Sequence, residues 1–455
     1  MKQNVKHKKP KSFPIGVHTI DNKLSQFAPI EFMHAPDTVY IAMQQNIGKP
    51  SLPVVKPGDY VKMGQMIAKA SEGLGANIFS SVSGTVQALN VKRPSTSGIA
   101  NHIQIKNDGL NTQHLLQSLE NPTPDEICQR IFDSGIVGLG GAGFPTHIKA
   151  KVDKQVQTLI INGAECEPYI TCDHRIMLDY TSEFLKGADF LAKCVHAKQV
   201  VIAFKNRDRL LESKIKDSIK QNKLDNMDTM SFDSIYPLGA EKQLVYSVTG
   251  KKVPIRNIPL SVGVVVANVA TVLAIYQSVV QGKTCYQRVL TVTGKGVKEQ
   301  KNIWVANGTP FEQVLQFAGA NMQDTPSQSA VGNIVKLIAG GPMMGYAVDN
   351  TQVVTTKTTN CILALTAEEV NIETPLECIN CAGCSKVCPM KLMPMFIHQY
   401  GQAQDATNAA KYGAKDCIEC GCCSFVCPSK IPLVQTIREA KKVVQKYEKT
   451  TKKIL

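Results

Sequence analysis

Two stretches near the C-terminus share one cysteine spacing, Cys378-Ile-Asn-Cys-Ala-Gly-Cys-Ser-Lys-Val-Cys-Pro389 and Cys417-Ile-Glu-Cys-Gly-Cys-Cys-Ser-Phe-Val-Cys-Pro428. Each reads Cys-x2-Cys-x2-Cys-x3-Cys-Pro, in which three thiolates ligate one 4Fe–4S cube and the fourth reaches the other cluster. The repeat predicts two clusters, a ferredoxin-type domain and one-electron transfer. The predicted iron ligands are Cys378, Cys381, Cys384, Cys388, Cys417, Cys420, Cys423 and Cys427.

Other uses of these cysteines fit the pattern less well. A disulfide framework is unusual in a long chain without a secretory signal, and zinc sites seldom space three cysteines in this way. The chain has 15 cysteines, and those outside the ligand set are interpreted as free thiols of a reducing compartment. Cys422 is one of them, because its spacing to Cys420 and Cys423 departs from the ligand pattern.

The positive charge is concentrated at the two ends of the chain. The 455 residues are enough for several domains, and the formal net charge is +14. Five lysines lie in Met1–Lys11, and Lys430–Leu455 holds eight basic and two acidic residues. Such arms either dock on anionic lipid or on an acidic partner, or only keep the chain in solution. No nucleic-acid motif accompanies them, so nucleic acid is not an expected partner.

The sequence predicts no membrane span. No apolar segment follows the lysines of Met1–Ser12, which argues against a signal peptide. The longest apolar run, Leu260–Val280, is interrupted by polar residues such as Asn268 and Gln277. Its beginning at Gly263 is typical of a buried strand that leads into a helix, so the run is expected to lie inside a domain.

Residues 30–110 are expected to form an all-β domain behind a basic arm at residues 1–29. The segments Val55–Ile67 and Val82–Val86 resemble the barrel-sandwich hybrid fold of biotinyl and lipoyl carriers. No lysine occupies the modification position of the carriers, so the domain is interpreted as a docking module without a swinging arm. Short β-rich stretches alternate with turn residues at Thr38–Ala42, Ile67–Ala70, Gly84–Ala88 and His102–Ile105.

Three further domains are expected. Alternating helix and strand patterns over residues 120–285 predict a Rossmann-like α/β domain, and residues 286–360 resemble a β-grasp (SLBB-like) module. Residues 367–435 would form a helical two-cluster ferredoxin domain, with one helix across Met390–Lys411 joining the cysteine runs and a basic tail at 436–455. The expected elements are helices Pro124–Ser134 and Pro310–Gly319, and strands Thr158–Ile161, Val200–Phe204, Val289–Thr293 and Ile334–Ala339.

A glycine-rich loop is the second informative stretch, Gly138-Leu-Gly-Gly-Ala-Gly-Phe-Pro-Thr-His-Ile-Lys149. Its glycines let the backbone approach a ligand closely and direct N–H groups at a phosphate. A helix beginning near Pro145 would add its positive end, and Lys149 could reach the same anion. The strand Thr158–Ile161 then ends at Asn162, at the edge where α/β folds bind nucleotides. The pattern predicts a nucleotide site on this domain.

The glycine loop resembles the flavin signature of the flavoprotein subunit of respiratory NADH dehydrogenase. Asn162–Pro168 is similar to a second motif of that subunit, and Tyr236–Glu241 and Ala267–Thr271 resemble two further flavin-contacting segments. The resemblance implies non-covalent FMN and NAD(H) as substrate. It implies FMN contacts at Gly138, Gly140, Lys149, Asn162, Glu165, Gly239, Asn268 and Thr271, with Gly141 and Gly143 in the same loop, and NADH contacts at Phe144, Glu167, Tyr236 and Glu241.

Four positions depart from the motifs of that subunit. Leu139 stands in place of an arginine, His147 of a glycine, Ala164 of an aspartate and Ala240 of a glutamate. Because the loop glycines, the lysine and the asparagines remain, FMN binding should survive these changes. The contacts to NADH are expected to differ in detail from those of the respiratory subunit.

The order of the domains resembles the RnfC (RsxC) family of the Rnf ion-translocating electron-transport complex, over roughly residues 13–435. The resemblance implies a translocase subunit attached peripherally at the cytoplasmic face of the cell (inner) membrane. It would pass electrons between NAD(H) and ferredoxin-type or membrane subunits while Na⁺ or H⁺ is moved. Two alternatives stay open: the NADH-oxidising subunit of a soluble hydrogenase or formate dehydrogenase, and a flavin-free iron–sulfur scaffold.

Overall fold

The computed structural model describes residues 15–153, 155–205, 208–321, 334–370 and 373–454. Along these residues four units follow one another in the predicted order: a β domain, a parallel α/β domain, a mixed β sheet with one helix, and a helical unit that carries the cysteine runs. The predicted fold class, a multidomain α/β and β protein, is confirmed.

The first unit packs two antiparallel sheets against each other. One has the strand order β2-β8-β7-β4 and the other β3-β5-β6. Val39, Ile41, Ile103 and Ile105 alternate with exposed or half-buried residues along β2 and β8, so one face of the sheet is buried. After β1 (Ile30–Phe32), which joins another sheet, the strands are β2 (Thr38–Ala42), β3 (Leu52–Pro53), β4 (Tyr60–Val61), β5 (Met66–Lys69), β6 (Ile78–Phe79), β7 (Gly84–Ser95) and β8 (Gly98–Asn107).

The second unit is an open parallel sheet with the order β11-β10-β9-β12, covered by helices. Thr123 begins its first helix with a capping box, in which the Thr123 hydroxyl and the Glu126 carboxylate satisfy each other's backbone N–H groups. The elements are α1 (Pro124–Asp133), α2 (Thr146–Ala150), β9 (Thr158–Gly163), α3 (Cys172–Asp179), α4 (Thr181–Cys194), β10 (Gln199–Lys205), α5 (Arg209–Gln221), β11 (Met227–Phe232), α6 (Glu241–Thr249), β12 (Val264–Asn268) and α7 (Val269–Gln281).

The apolar run Leu260–Val280 lies inside this unit, as the sequence predicts. It supplies part of a 3-10 turn at Pro259–Val262, then β12 and most of α7. Val264, Val265 and Val266 are buried in the sheet. Among the residues that the structure describes, no helix has the length and apolar character needed to cross a membrane.

The third unit is a six-stranded sheet with the order β1-β14-β13-β17-β15-β16. The predicted helix between the strands is present as α8. Residues 30–32 differ from the expected boundary, because β1 pairs in parallel with β14 of this sheet instead of joining the hybrid domain. The elements are β13 (Gln287–Thr293), β14 (Lys301–Ala306), α8 (Phe311–Phe317), β15 (Ile334–Ala339), β16 (Tyr346–Val348) and β17 (Cys361–Thr366).

The fourth unit contains short helices around the cysteine runs and one long final helix. The prediction of a single helix across Met390–Lys411 is wrong, because α10 ends at Gln402 and Gln404 adopts a positive φ of 57°. The Asp405 side chain then caps a separate helix. The expected tail at 436–455 belongs largely to a helix that buries one face against this unit. The helices are α9 (Gly383–Lys386), α10 (Pro394–Gln402), α11 (Ala406–Lys411), α12 (Cys422–Phe425) and α13 (Leu433–Ile454).

Candidate functional site

The predicted nucleotide site lies at the carboxyl edge of the parallel sheet. β9 and β12 pair there in register, so that Asn162 and Asn268 are partners on adjacent strands. The chain runs from β9 through β10 to β11 on one side and returns to β12 on the other, and ligands of open α/β sheets bind at such a switch point. The glycine loop reaches the same edge, since a Cβ on Gly140 would lie 3.0 Å from Asn268 Cβ. Three separate motifs therefore meet in one place.

The glycine loop is closed by its own backbone. The Gly138 N–H donates to the Phe144 carbonyl at 2.8 Å. The Leu139 N–H donates to the Thr271 hydroxyl at 2.9 Å, which ties the loop to the first turn of α7. Gly141, on the exposed crest, has φ +131°, and a Cβ there would meet nothing within 4 Å. The backbone conformation therefore favours glycine, and the crest leaves room for a ligand.

The far side of the loop leads to the predicted lysine. A Cβ on Gly143, which has φ +65°, would approach the Thr358 side chain to 2.9 Å, so the loop packs tightly there. Lys149, on the short helix α2, donates from Nζ to Glu241 Oε1 and to the Val266 carbonyl, each at 2.9 Å. The structure thus brings together Lys149 and Glu241, two residues predicted from motifs far apart in the sequence.

The two asparagines at the sheet edge are held by hydrogen bonds. Asn162 donates from Nδ2 to the Gly239 carbonyl at 2.9 Å, which joins β9 to the turn before α6. Asn268 caps α7 and donates from Nδ2 to Asp173 Oδ2 at 2.5 Å. These contacts place Gly239 and Asn268, both predicted flavin contacts, beside β9.

Glu165 lies at the beginning of α3. Its carboxylate accepts the N–H groups of Asp173 at 2.7 Å and His174 at 3.3 Å. Burial and the charge of Asp173 together raise the pKa of Glu165 to about 7, although the Lys23 ammonium acts to lower it. Glu165 itself has a positive φ of 36°, so the turn that follows β9 is tightly bent.

Lys23 stabilises this turn from the inside. Its ammonium donates to the carbonyl oxygens of Glu165 at 2.9 Å and Glu167 at 2.8 Å, and also to that of Ile170. An ammonium group has three donors and no acceptor, so all three of its N–H groups can be used here. The segment from residue 15 to 29, expected to be a basic arm, therefore contributes directly to the candidate site.

The arm is anchored on both sides of Lys23. Val17 and Tyr236 exchange two backbone hydrogen bonds, at 2.9 and 3.0 Å. The Tyr169 N–H donates to the Asp21 carbonyl at 2.8 Å, and Ser25 bonds through its hydroxyl to Thr171 at 2.6 Å. The position of Lys23 is thus fixed by contacts of its neighbours with the same domain.

Glu167 and Tyr236 form a junction between three units. The Glu167 carboxylate accepts the N–H groups of Met343 at 3.1 Å and Met344 at 2.8 Å, from the loop between β15 and β16. The Tyr236 hydroxyl, 3.3 Å from Glu167 Oε1, lies 2.5 Å from the Cys420 carbonyl. Burial raises the pKa of Glu167 to about 7, although these hydrogen bonds act to lower it. Tyr236 is only 2% exposed.

The second cysteine run and the end of the first enclose one cavity. It is lined by the predicted ligands Cys388, Cys417, Cys420 and Cys423, by Cys422, and by apolar residues that include Leu392, Ile397 and Val434. Burial raises the pKa of Cys417 to about 11, and nearby Cys420 and Cys388 add to the rise. A 4Fe–4S cube takes four thiolates, and the four lining cysteines with the ferredoxin spacing suit it; the presence of Cys388 agrees with cross-ligation between the runs.

The other four predicted ligands differ in their burial. Cys384 is buried, Cys378 and Cys427 are half-buried, and Cys381 is exposed. Cys378 and Cys427 pack against the same apolar core as Cys384. These residues are compatible with a first cluster that lies nearer the surface than the second.

Cys422 is buried beside Tyr236 and outside the predicted ligand set. Its Sγ lies 3.9 Å from the Tyr236 carbonyl oxygen, a weak hydrogen-bond distance for sulfur. Cys422 is fully buried in a small apolar cluster that also contains Val17 and Tyr236. The thiol therefore packs in an interdomain contact at the edge of the cavity, which it also lines.

Sequence reasoning missed Lys23 and Asp173. Lys23 lies outside every motif, and no local pattern distinguishes it from the other lysines of the N-terminal region. Asp173 follows the Asn162–Pro168 motif closely and is the first acidic residue of α3, a position that could have indicated a role at the helix end.

Four family models match the chain in the order of its units. They are the RnfC barrel sandwich hybrid domain at residues 11–110, the Nuo51 FMN-binding domain at 131–277, the SLBB domain at 289–347 and the 4Fe-4S dicluster domain at 371–428. These matches confirm the predicted domain types and the predicted cofactors, FMN and two 4Fe–4S clusters.

Curated relatives are similar to the chain over nearly its whole length. It is 39% identical over 441 residues to the RnfC-type component of the proton-translocating ferredoxin:NAD⁺ oxidoreductase complex of Clostridium ljungdahlii, covering 95% of this chain and 93% of the relative. The chain belongs to the RnfC family. The RnfC relative from Acetobacterium woodii, a component of a Na⁺-translocating ferredoxin:NAD⁺ oxidoreductase complex, is 38% identical over 97% of this chain and 98% of its own length.

A solved structure resembles the RnfC chain in fold. It is a NAD⁺-reducing NiFe hydrogenase in the H₂-reduced state, with a TM-score of 0.50 and 16% sequence identity. The match covers 70% of this chain and 60% of the hydrogenase chain. At this identity the likeness supports the fold alone.

Proposed function

We propose that this chain is the NAD(H)-facing subunit of a membrane-bound, ion-translocating oxidoreductase. It passes electrons between NAD(H) and ferredoxin-type or membrane subunits through FMN and two 4Fe–4S clusters, coupled to movement of Na⁺ or H⁺. The observation that carries the proposal is the junction at Tyr236, where the turn beside the flavin site contacts the backbone of the proposed cluster ligand Cys420. This contact brings the flavin site near an iron–sulfur site, and electron transfer between two cofactors requires such proximity.

The flavin site fits the proposed cofactor in its shape and charge. The exposed crest of the glycine loop at Gly141 leaves space for a ligand, and Lys149 places a positive charge beside it. FMN, when bound, exchanges two electrons with the nicotinamide and releases them one at a time. The residues proposed to hold it are Gly138, Gly140, Gly141, Gly143, Lys149, Asn162, Glu165, Gly239, Asn268 and Thr271. Phe144, Glu167 and Glu241 are proposed to face NADH; Tyr236, expected to do so from its motif, is 2% exposed and contacts the cluster loop instead.

The chain's own residues shape this site before any ligand arrives. Thr271 and the loop backbone fix the glycines, and Lys23 fixes the turn that carries Glu165 and Glu167. Such preorganisation reduces the conformational entropy that binding would otherwise cost. The carboxylates of Glu165 and Glu167 are committed to backbone N–H groups, so they orient the turn as well as adding negative charge.

Each cluster is proposed to use three cysteines of one run and the last cysteine of the other. The second cluster would take Cys388 with Cys417, Cys420 and Cys423, all of which line one cavity; Cys422 lines it too and is set aside because of its spacing. The first cluster would take Cys378, Cys381, Cys384 and Cys427. The hydrogen bonds and burial of these thiolates would set the cluster potentials.

The chain is proposed to bind peripherally at the cytoplasmic face of the cell membrane, held by other subunits of the complex. The basic residues of α13, such as Lys442 and Lys446, support contact with an acidic partner or anionic lipid. High salt or a chaotrope should then release at least part of the chain from membranes, because salt screens exposed charge. Release by detergent alone would contradict peripheral attachment.

The function can be tested at Lys149. Lys149→Ala should weaken FMN retention or NADH oxidation about tenfold or more, since a charged hydrogen bond to an anion is worth about 1.5–3 kcal/mol. The measurement is anaerobic visible spectroscopy with NADH and then dithionite, and dithionite should still bleach the clusters. Lys151→Ala, at an exposed lysine nearby, is the matched control. If NADH reduces the clusters of Lys149→Ala as fast as those of the wild type, Lys149 has no role at the site.

A further inference from the structure

The contact between the flavin domain and the second cluster loop converges on one hydroxyl group. The Tyr236 hydroxyl is 2.5 Å from the Cys420 carbonyl and 3.3 Å from Glu167 Oε1. A phenol has one donor and can also accept, and the Cys420 carbonyl can only accept. The Tyr236 O–H is therefore directed at the peptide of a proposed cluster ligand.

The surroundings hold Tyr236 in this orientation. Its backbone is paired with Val17, and its ring is buried among Val17, Cys422 and Cys420. A phenol ordinarily has a pKa of about 10, so the hydroxyl is a hydrogen-bond donor at neutral pH.

The cluster loop has little room to move away from this contact. A Cβ on Gly421, the residue after Cys420, would lie 2.6 Å from the Met343 carbonyl oxygen. The Met343 N–H in turn donates to Glu167, which lies within hydrogen-bond distance of the Tyr236 hydroxyl. The loop of the β-grasp unit and the turn of the flavin domain therefore enclose the Cys420–Gly421 peptide from two sides.

We propose that Tyr236 is a positioning residue of the second iron–sulfur site, which orients the Cys420–Gly421 peptide and thereby sets the potential of that cluster. The inference deepens the proposed function and rests on it. The positive end of the O–H dipole points toward the ligand peptide, in surroundings where water is excluded and electrostatic effects are large. Its field favours the reduced cluster, which carries one more negative charge. Removal of the hydroxyl should therefore shift the midpoint potential to more negative values.

The test is an EPR-monitored redox titration of Tyr236→Phe in the full chain. Both the reference and the variant carry Cys381→Ala, which removes a proposed ligand of the first cluster, so that the second cluster is titrated alone. At the midpoint potential of the reference, the ratio of reduced to oxidised second cluster should be at least threefold lower in the variant. For a one-electron couple, with 59 mV per tenfold change, this corresponds to a midpoint shift of about 28 mV. Tyr400→Phe is the control, since its ring packs on Tyr412 in the same unit.

The outcomes separate the inference from the proposed function. If the wild-type chain, reconstituted anaerobically, binds no clusters, the proposed function fails. If Tyr236→Phe keeps the iron content of its reference and the midpoint stays within the spread of Tyr400→Phe, the positioning role is overturned. If the iron content or the thermal unfolding temperature falls with the midpoint, the hydroxyl acts on folding, and the inference is likewise overturned. An unchanged iron content with a more negative midpoint supports it.

Discussion

Replacing Lys23 with methionine tests whether the N-terminal segment builds the flavin site. The ammonium donates to the carbonyls of Glu165, Glu167 and Ile170. A hydrogen bond from a charged donor contributes about 1.5–3 kcal/mol, so the two of ordinary length give about 3–6 kcal/mol before water replaces any of them. Because Lys23 is half-buried, water should recover about half of this and leave about 1.5–3 kcal/mol.

That loss should appear mainly as weaker flavin binding. The turn that Lys23 holds carries Glu165 and Glu167, so its loosening adds an ordering cost to binding. A loss of about 2 kcal/mol corresponds to roughly 30-fold weaker affinity for FMN. Methionine has nearly the same length as lysine and keeps the apolar packing of the stem, so the change isolates the charged head.

The assay is a titration of the flavin-free chain with FMN, followed by quenching of flavin fluorescence. Iron content and dithionite bleaching of the clusters are measured on the same samples and should not change. Lys56→Met, at an exposed lysine of the hybrid domain, is the control and should bind FMN like the wild type. An FMN affinity of Lys23→Met within twofold of the wild type would refute the reasoning, because the hydrogen bonds from Lys23 to the three backbone carbonyls would then contribute nothing to flavin binding.

Two further predictions concern the cluster ligands and the pH dependence of stability. Cys388→Ala should lose the second cluster, about half of the iron, whereas Cys422→Ser should keep about eight irons per chain in an iron and sulfide assay. Because burial raises the pKa of Glu167 to about 7, the folded state binds a proton more tightly than the unfolded state, so stability should fall as the pH rises from about 4.5 through 7. Glu167→Gln should reduce the dependence of the unfolding free energy on pH, as measured from unfolding curves followed by Trp304 fluorescence. Glu120→Gln, the control, should not. An equal pH dependence in the wild type and both variants would contradict the assignment.

Patterns confined to one stretch of chain were predictable. The strand Thr158–Ile161 and the strand-to-helix passage after Gly263 follow from apolar runs bounded by turn residues, and both are present. The glycine loop and Asn162 could be placed at one sheet edge because parallel strands share a carboxyl end. The cysteine spacing indicated the cluster unit because thiolate ligands must surround a cube of fixed size.

Features that depend on contacts between distant segments were not predictable. The break in the predicted helix across Met390–Lys411 rests on the positive φ of Gln404, which its side chain does not demand. Lys23 contacts a turn more than a hundred residues away in the sequence. Its three acceptors are backbone carbonyl oxygens, which every residue has, so no side-chain pattern indicates the contact. The same holds for Tyr236, whose motif indicated a ligand but whose hydroxyl contacts another domain.

The distribution of these contacts explains why the domains occur together in one chain. The turn at Glu167 is completed by Lys23 from the N-terminal segment, by Met343 and Met344 from the β-grasp unit, and by Tyr236, which also contacts the cluster loop. In the flavin domain alone the carbonyls and the carboxylate of this turn would be exposed and hydrogen-bonded to water, so the turn would lose the protein partners that fix its shape. The turn at Glu167 therefore has all of these hydrogen bonds only when the N-terminal segment and the β-grasp unit are packed on the flavin domain. The cluster unit joins the same junction through the contact between Tyr236 and the Cys420 carbonyl.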